Sequence, residues 1–206
     1  MIEYLDLGEC KGQTYSIYSD WMLDNLSSST GIVSALITDN YFMIGHNKKI
    51  EDYLKDDVDK SKFTFGSFYE AGGLMWCGNV CLVRVVFLSI EPNKYKEKIF
   101  SVIACMAGIF KTFSKEIIEL KTNYLYLNGK KIAGFAARRK ETRYSVHCCI
   151  NLKNIPEEIK TLFKNKKFDT VGSLNNIISY SEFMNLFCSK FSKRCKMDVV
   201  EIGKPF

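Results

Sequence analysis

Lys130 and Lys131 follow directly on Asn128-Gly129, and a lysine held just past a tight turn can act as a point cation toward a phosphate or carboxylate. Taken alone, such a lysine is usually a surface residue. Its surroundings strengthen the reading. Between Lys111 and Arg143 stand nine basic residues against Glu116, Glu119 and Glu141, so this one segment carries the whole formal charge of +6. A local positive field suits an anionic ligand such as a nucleotide phosphate, or an acidic protein partner. Strand edges guarded by Lys and Arg would produce the same composition with no ligand at all. Asn123 and Asn151 add polar side chains on either side of the lysines, and Gly134 offers a backbone position that a ligand can approach closely.

Metal and disulfide chemistry are not indicated. The eight cysteines include no C-x-x-C pair, since three residues separate Cys77 from Cys81 and Cys148 and Cys149 are adjacent. His46 and His147 fall in no zinc-binding frame, so no residue is assigned to a metal. Cysteines in apolar runs behave as small core residues, which points to a reducing compartment. The acidic, β-prone start Met1-Ile-Glu-Tyr-Leu-Asp has no signal-peptide pattern. The longest apolar run, Val102–Phe110, is far short of the roughly 20 residues a membrane span needs. A cytoplasmic protein without membrane contact is expected.

The elements that must position these residues are read from periodicity. Residues 3–7, 14–18, 32–37, 79–90, 117–120 and 143–152 have the composition of strands. Helical spacing predicts helices over 20–26, 94–113, 156–163 and 180–194, the third opened by Asn154 as a cap and Pro156. Tyr124–Gly134 reads as a hairpin, because Asn-Gly tolerates the positive φ angles of a tight turn. Residues 47–62 hold five basic and five acidic side chains and read as a solvated, mobile insertion. Together these predict an α+β fold, a mixed and largely antiparallel sheet with helices packed on one face.

The block Leu120-Lys-Thr-Asn-Tyr-Leu-Tyr-Leu-Asn-Gly-Lys-Lys-Ile-Ala-Gly134 resembles a segment of the biotin protein ligases, in which Lys-Trp-Pro-Asn-Asp precedes a strand, an Asn-Gly turn and Lys-hydrophobic-Ala-Gly. Cys149-Ile-Asn-Leu152 is similar to that family's Gly-Ile-Asn strand, and Asp169-Thr-Val-Gly-Ser-Leu174 to its Thr-Ser-Leu segment. Trp76-Cys-Gly-Asn-Val-Cys-Leu82 resembles its Trp-x-x-x-Gly-Asn strand entry, and Gly31-Ile-Val-Ser-Ala35 a strand leading to the nucleotide loop. Collinear order of these pieces over most of residues 14–195 identifies the chain as a divergent member of the biotin and lipoate ligase superfamily, in its biotin branch.

The resemblance implies a class II synthetase-like catalytic domain that joins biotin to ATP, with Mg²⁺, as biotinyl-adenylate. The biotinyl group then passes to a lysine of a biotin carboxyl carrier domain. It implies Lys131 as the catalytic cation between acid and α-phosphate. Substrate-binding roles fall on Ser19, Trp76, Gly78, Asn79, Lys121, Asn123, Gly134 and Asn151. A single domain over 1–206 is expected, with the charged insertion near 47–66, no DNA-binding domain before it and no full β-domain after it. The family's arginine-rich loop would fall on residues 39–46 or 67–74, and neither contains an arginine. Tyr124 stands where the family has an aspartate, and Arg138 where it has a glutamate. A catalytically impaired relative that binds a ligand or carrier, and a lipoate or octanoate ligase, are the alternatives.

Overall fold

The computed structural model describes residues 1–69, 72–88, 94–113, 118–121, 124–164, 168, 171–174 and 177–205, with backbone alone at 113 and 118–121. In chain order the elements are β1 (Ile2–Cys10), α1 (Gly12–Asn25), β2 (Thr30–Ile37), β3 (Tyr41–Gly45), β4 (Thr64–Phe68), β5 (Leu74–Trp76), β6 (Val80–Leu88), α2 (Tyr95–Phe113), β7 (Ile118–Lys121), β8 (Tyr124–Leu127), β9 (Lys130–Lys140), β10 (Arg143–Asn151), α3 (Glu157–Lys160), α4 (Tyr180–Cys195) and β11 (Val199–Glu201). Among the described residues eight strands pair in the order β11-β1-β2-β6-β10-β9-β8-β7, and three more in the order β4-β3-β5. The large sheet is antiparallel from β2 to β7 and parallel at β11-β1-β2. This is the mixed α+β arrangement that the sequence predicts.

Alternation along β6 and β10 divides the core in two. Cys81, Val83, Val85 and Phe87, with Tyr144, Val146, Cys148 and Ile150, face α2 and α4. There Phe110 stacks on Phe183 at 5.5 Å, continuing through Phe187 to Phe191. Val80, Leu82 and Val86 turn the other way, toward α1 and the small sheet. The two long helices therefore share one face as expected, and α1 joins the small sheet in covering the opposite one.

Three local readings change. Residues 14–18, which have the composition of a strand, lie inside α1. Thr14, Tyr15, Ile17 and Tyr18 favour strands intrinsically, but the buried set Tyr15, Tyr18, Ser19, Met22 and Leu23 has helical spacing, and packing overrides propensity. The helix over 156–163 contracts to Glu157–Lys160, and Asn154 accepts a bond from the Ser173 hydroxyl at 2.8 Å instead of capping it. Residues 41–45, inside the 39–46 stretch on which the arginine-rich loop would fall, are a strand paired in parallel register with 64–68, Tyr41 opposite Thr64 and Gly45 opposite Phe68. The Asn128-Gly129 hairpin forms as read, with φ of 49° and 75°.

The charged segment between β3 and β4 is anchored. Leu54 is 1% exposed, pairs with Phe163 as an isolated bridge, and packs with Phe42, Leu74, Trp76 and Ile159, while Ile50, Tyr53, Val58 and Phe63 close around it. Its charges stay at the surface, as in the Lys60–Glu51 and Lys164–Asp56 pairs. Exposed pairs of that kind contribute little, so Leu54 is the main fastening. Leu54→Ala is expected to destabilise the chain by about 2–4 kcal/mol, read from urea denaturation. Lys60→Ala should change it by less than about 0.5 kcal/mol in the same measurement.

Candidate active site

β9 and β10 carry the floor of a cleft of about 550 Å³ on the face away from α2 and α4. In register, Gly134 lies opposite Cys149, Ala136 opposite His147 and Arg138 opposite Ser145. Gly134, Ala136 and Cys149 have little or no bulk, so space remains above the sheet. Met43, Gly72, Gly73, Leu74 and Met75 form the facing wall, and Tyr124 and Lys131 close one end.

Lys131 reaches this cleft because of a register irregularity. Tyr126 pairs with Lys131 and Leu125 with Ala133, so β9 has one extra residue, Ile132, against β8. In a regular strand Lys131 would share the face of Ala133 and Phe135, which belong to the core beneath α2 and α4. The bulge buries Ile132 in that core and turns Lys131 into the cleft beside Gly134. A Cβ on Gly134 would lie 3.4 Å from both Cε and Nζ of Lys131. The ammonium sits 3.8 Å from the centroid of the Tyr124 ring, a cation–π contact that steadies it without neutralising its charge. Burial holds the Lys131 amine below the usual lysine range, with the nearby Cys149 acting weakly in the opposite direction.

A second support comes from the segment 171–174. The Gly172 amide donates to the Lys131 carbonyl at 2.9 Å, Asn151 Nδ2 donates to the Gly172 carbonyl at 3.0 Å, and the Leu174 amide donates to the Asn151 carbonyl at 2.8 Å. Lys131 and Asn151 are thus joined through Gly172, where a Cβ would come within 2.8 Å of the Lys130 Cβ. Only glycine allows that approach without displacement.

The remaining sequence-derived residues scatter. Trp76 points away from the cleft: Met75 lines it, and the next residue on β5 turns into the core around Phe42 and Leu54. Gly78 lies beneath the Trp76 indole, where a Cβ would meet Cζ2 at 2.2 Å. Asn79 occupies a left-handed turn, φ 57°, and lines a separate cavity of about 500 Å³ with Asp6 and Tyr180. Ser19 is buried on α1 beside the Tyr15 hydroxyl. Asn123 and the Lys121 side chain lie outside the described residues. No group of three or more His, Cys, Asp or Glu side chains able to hold a metal occurs among the described residues.

Tyr124, His147 and Cys149 are site residues that the linear reading does not pick out, because it takes them for a lost carboxylate, a histidine outside any zinc frame and a core thiol. Strand parity was the available signal: His147 and Cys149 alternate with the apolar Val146, Cys148 and Ile150. His147 is stacked between Tyr15 and Phe68, at 5.6 and 5.4 Å. Burial and the neighbouring Arg84 guanidinium push its imidazole well below the usual range, so it is neutral. Arg84 in turn bonds Asp20 on α1 at 2.8 Å. Further along β9, Arg138 stacks over Tyr69 at 3.9 Å, and His46 covers the same ring at 3.8 Å.

A family model, the lipoyl protein ligase A/B catalytic domain, matches residues 17–192. The chain belongs to that family, within the biotin and lipoate ligase superfamily. Solved structures agree at the level of fold. A bi-partite lipoate protein ligase from Thermoplasma acidophilum aligns with a TM-score of 0.80 at 17% identity, over 99% of this chain and 88% of the other. A lipoate-protein ligase A bound with ATP gives 0.80 at 16%, over 99% and 90%. Biotin protein ligase of Leishmania major, with biotinyl-5-AMP, gives 0.57 at 11%, over 96% and 76%. The superfamily assignment therefore stands, and the nearer fold similarity is to lipoate ligases, not to the biotin branch. A search of curated proteins finds no significant match. No helix among the described residues is long and apolar enough to cross a membrane.

The depressed Lys131 amine has a consequence for stability. An unfolded lysine binds its proton more tightly than this one, so wild-type stability rises with pH through the window from the lowered value up to the ordinary lysine range. Below that window the full desolvation cost applies. Lys131→Met is expected to be more stable than wild type at neutral pH, with the difference shrinking above the lysine range. Urea denaturation of both proteins across that pH range measures it.

Proposed function

We propose that this chain is the catalytic domain of an ATP-dependent protein ligase. It would activate a lipoate-type carboxylic acid as the acyl-adenylate and transfer the acyl group to a lysine of a small carrier domain. The observation that carries this reading is Lys131, half-buried and aimed by a bulge into a cleft whose floor is Gly134, Ala136 and Cys149. In the first step a carboxylate oxygen bonds to the α-phosphorus of ATP, and pyrophosphate leaves. Two anions must meet, and a cation with reduced hydration at their junction stabilises the charge that builds on phosphorus. In the second step the carrier lysine, as the free amine, attacks the acyl carbon and AMP leaves.

Met43, Leu74, Met75 and Ala136 make the cleft walls largely apolar, which suits an acyl chain. The greater fold similarity to lipoate ligases supports a lipoate-type acid over biotin, which was the acid implied by the sequence. A carrier of lipoyl-domain type follows from the same choice, in place of a biotin carboxyl carrier domain. Because neither candidate loop holds an arginine, Lys131 bears a large share of the anion stabilisation.

The test is ATP–pyrophosphate exchange with lipoate, octanoate and biotin in turn. Exchange with lipoate is expected, falling by about 10²–10³-fold in Lys131→Ala, whose fold should be intact by circular dichroism. Exchange with biotin alone would restore the biotin reading. No exchange with any acid would make the chain a non-catalytic relative.

A further inference from the structure

The cleft wall that faces the β9–β10 floor includes Gly72, Gly73 and Leu74, and whatever backs that wall fixes its distance from the floor. Gly73 is held from two sides. Its carbonyl accepts from the Gly45 amide at 2.9 Å. Where its side chain would be lies the Tyr53 ring: a Cβ on Gly73 would meet Cε1 at 3.3 Å, the hydroxyl oxygen at 3.4 Å and Cζ at 3.6 Å. The Gly73 backbone is not in the left-handed region, and a Cβ on neighbouring Gly72 would meet no described atom within 4 Å. Crowding by Tyr53, not backbone conformation, is therefore what opposes a side chain at position 73.

Tyr53 is tied in turn to the other end of the cleft. Its carbonyl accepts from the Lys164 amide at 2.8 Å, the Lys55 amide donates to the Leu162 carbonyl at 2.8 Å, and between these bonds Leu54 bridges to Phe163. Phe163 meets the Phe168 ring edge-on at 5.2 Å, and the Val171 amide donates to the Phe168 carbonyl at 2.9 Å. The next residue, Gly172, holds the Lys131 carbonyl. Residues 53–55 thus brace the wall through Gly73 and, through 162–174, the backbone that carries Lys131.

We infer that Tyr53 is a positioning residue that sets the width of the cleft: its ring is a backstop for Gly73, so the acid is selected by girth. An alkyl chain with no more than one small ring is admitted in preference to a fused bicycle. This rests on the reading that the cleft takes a lipoate-type acid. Tyr53 does not itself line the cleft and acts only through Gly73. A close-packed backing gives little, so added bulk in the ligand must displace a ring that is fastened at its own backbone. The cation at Lys131 contributes equally to every carboxylate and makes no distinction among them.

Binding of octanoate, lipoate and biotin is measured by calorimetry without ATP in wild type, Tyr53→Ala, Tyr53→Phe, Gly73→Ala and the double variant. Wild type is expected to bind lipoate about tenfold more tightly than biotin, the discrimination an apolar pocket makes against added bulk. Tyr53→Ala removes the backstop and should abolish that preference, whereas Tyr53→Phe keeps the ring and the preference. Gly73→Ala presses on Tyr53 and drives the wall toward the floor, so lipoate affinity should fall about tenfold. Adding Tyr53→Ala should then restore it. Two independent losses would instead add, so recovery in the double variant is a readout that general destabilisation does not give. If Tyr53→Ala unfolds, Tyr53→Leu takes its place in both arms. An unchanged preference in Tyr53→Ala, an equal loss in Tyr53→Phe, additive losses in the double variant, or no binding of any acid by wild type overturns the assignment. ATP–pyrophosphate exchange is measured separately. Additive losses with exchange intact remove the backstop and leave the ligase reading standing; recovery in the double variant of a protein without exchange does the reverse.

Discussion

One inserted residue governs the geometry of the site. Ile132 breaks the two-residue alternation of β9, and every neighbouring position depends on which side of that break it lies. Beyond the bulge, Ala133 and Phe135 pack in the core beneath the helices, leaving Gly134 and Ala136 to the cleft. Before it the parity is reversed, and Lys131 joins Gly134 in place of the core. A charged amine under α2 would be an uncompensated buried cation, so the bulge serves folding and the cleft at once. Deleting the extra residue would turn every position before it to the opposite face of the sheet.

The cleft is made by subtraction as much as by placement. Gly134, Ala136 and Cys149 occupy positions where β-branched or aromatic residues would suit a strand better, and their small size leaves room for a ligand. The helix side of the same strands makes the opposite choice: Val146, Ile150 and Phe135 pack against a ladder of stacked phenylalanines. On β9 and β10, core packing and the cleft thus fall on opposite faces. Gly172 ties the two conditions together, since its amide and carbonyl fix both Lys131 and Asn151 from a segment that follows α3.

Charge is concentrated by topology. Lys140 is matched by Asp24 on α1, and the Arg139 Nε by the Glu141 carbonyl. Lys131 has an aromatic face beneath it, which keeps its charge available to an incoming anion. Arg138, which the resemblance set in place of a glutamate, covers the Tyr69 ring.

The sequence by itself determined the fold class, the Asn128-Gly129 hairpin, helices α2 and α4 and the place of Lys131 just past the turn, because these rest on local periodicity and turn chemistry that act within a few residues. It also carried the superfamily, through the order of its blocks. It read the second half of α1 as a helix over 20–26 but took residues 14–18 for a strand, because their aromatic and β-branched side chains favour one until burial against Val33 and Ala35 is included. It could not foresee the small sheet, whose strands of three to five residues contain too few turns of the pattern to register. Which residues meet at the cleft was a tertiary matter. Trp76 and Met75 are adjacent in sequence, yet alternation sends one to the core and the other to the cleft. His147 lies far from Tyr15 and Phe68 along the chain and gains its character only when strand pairing and helix packing enclose it.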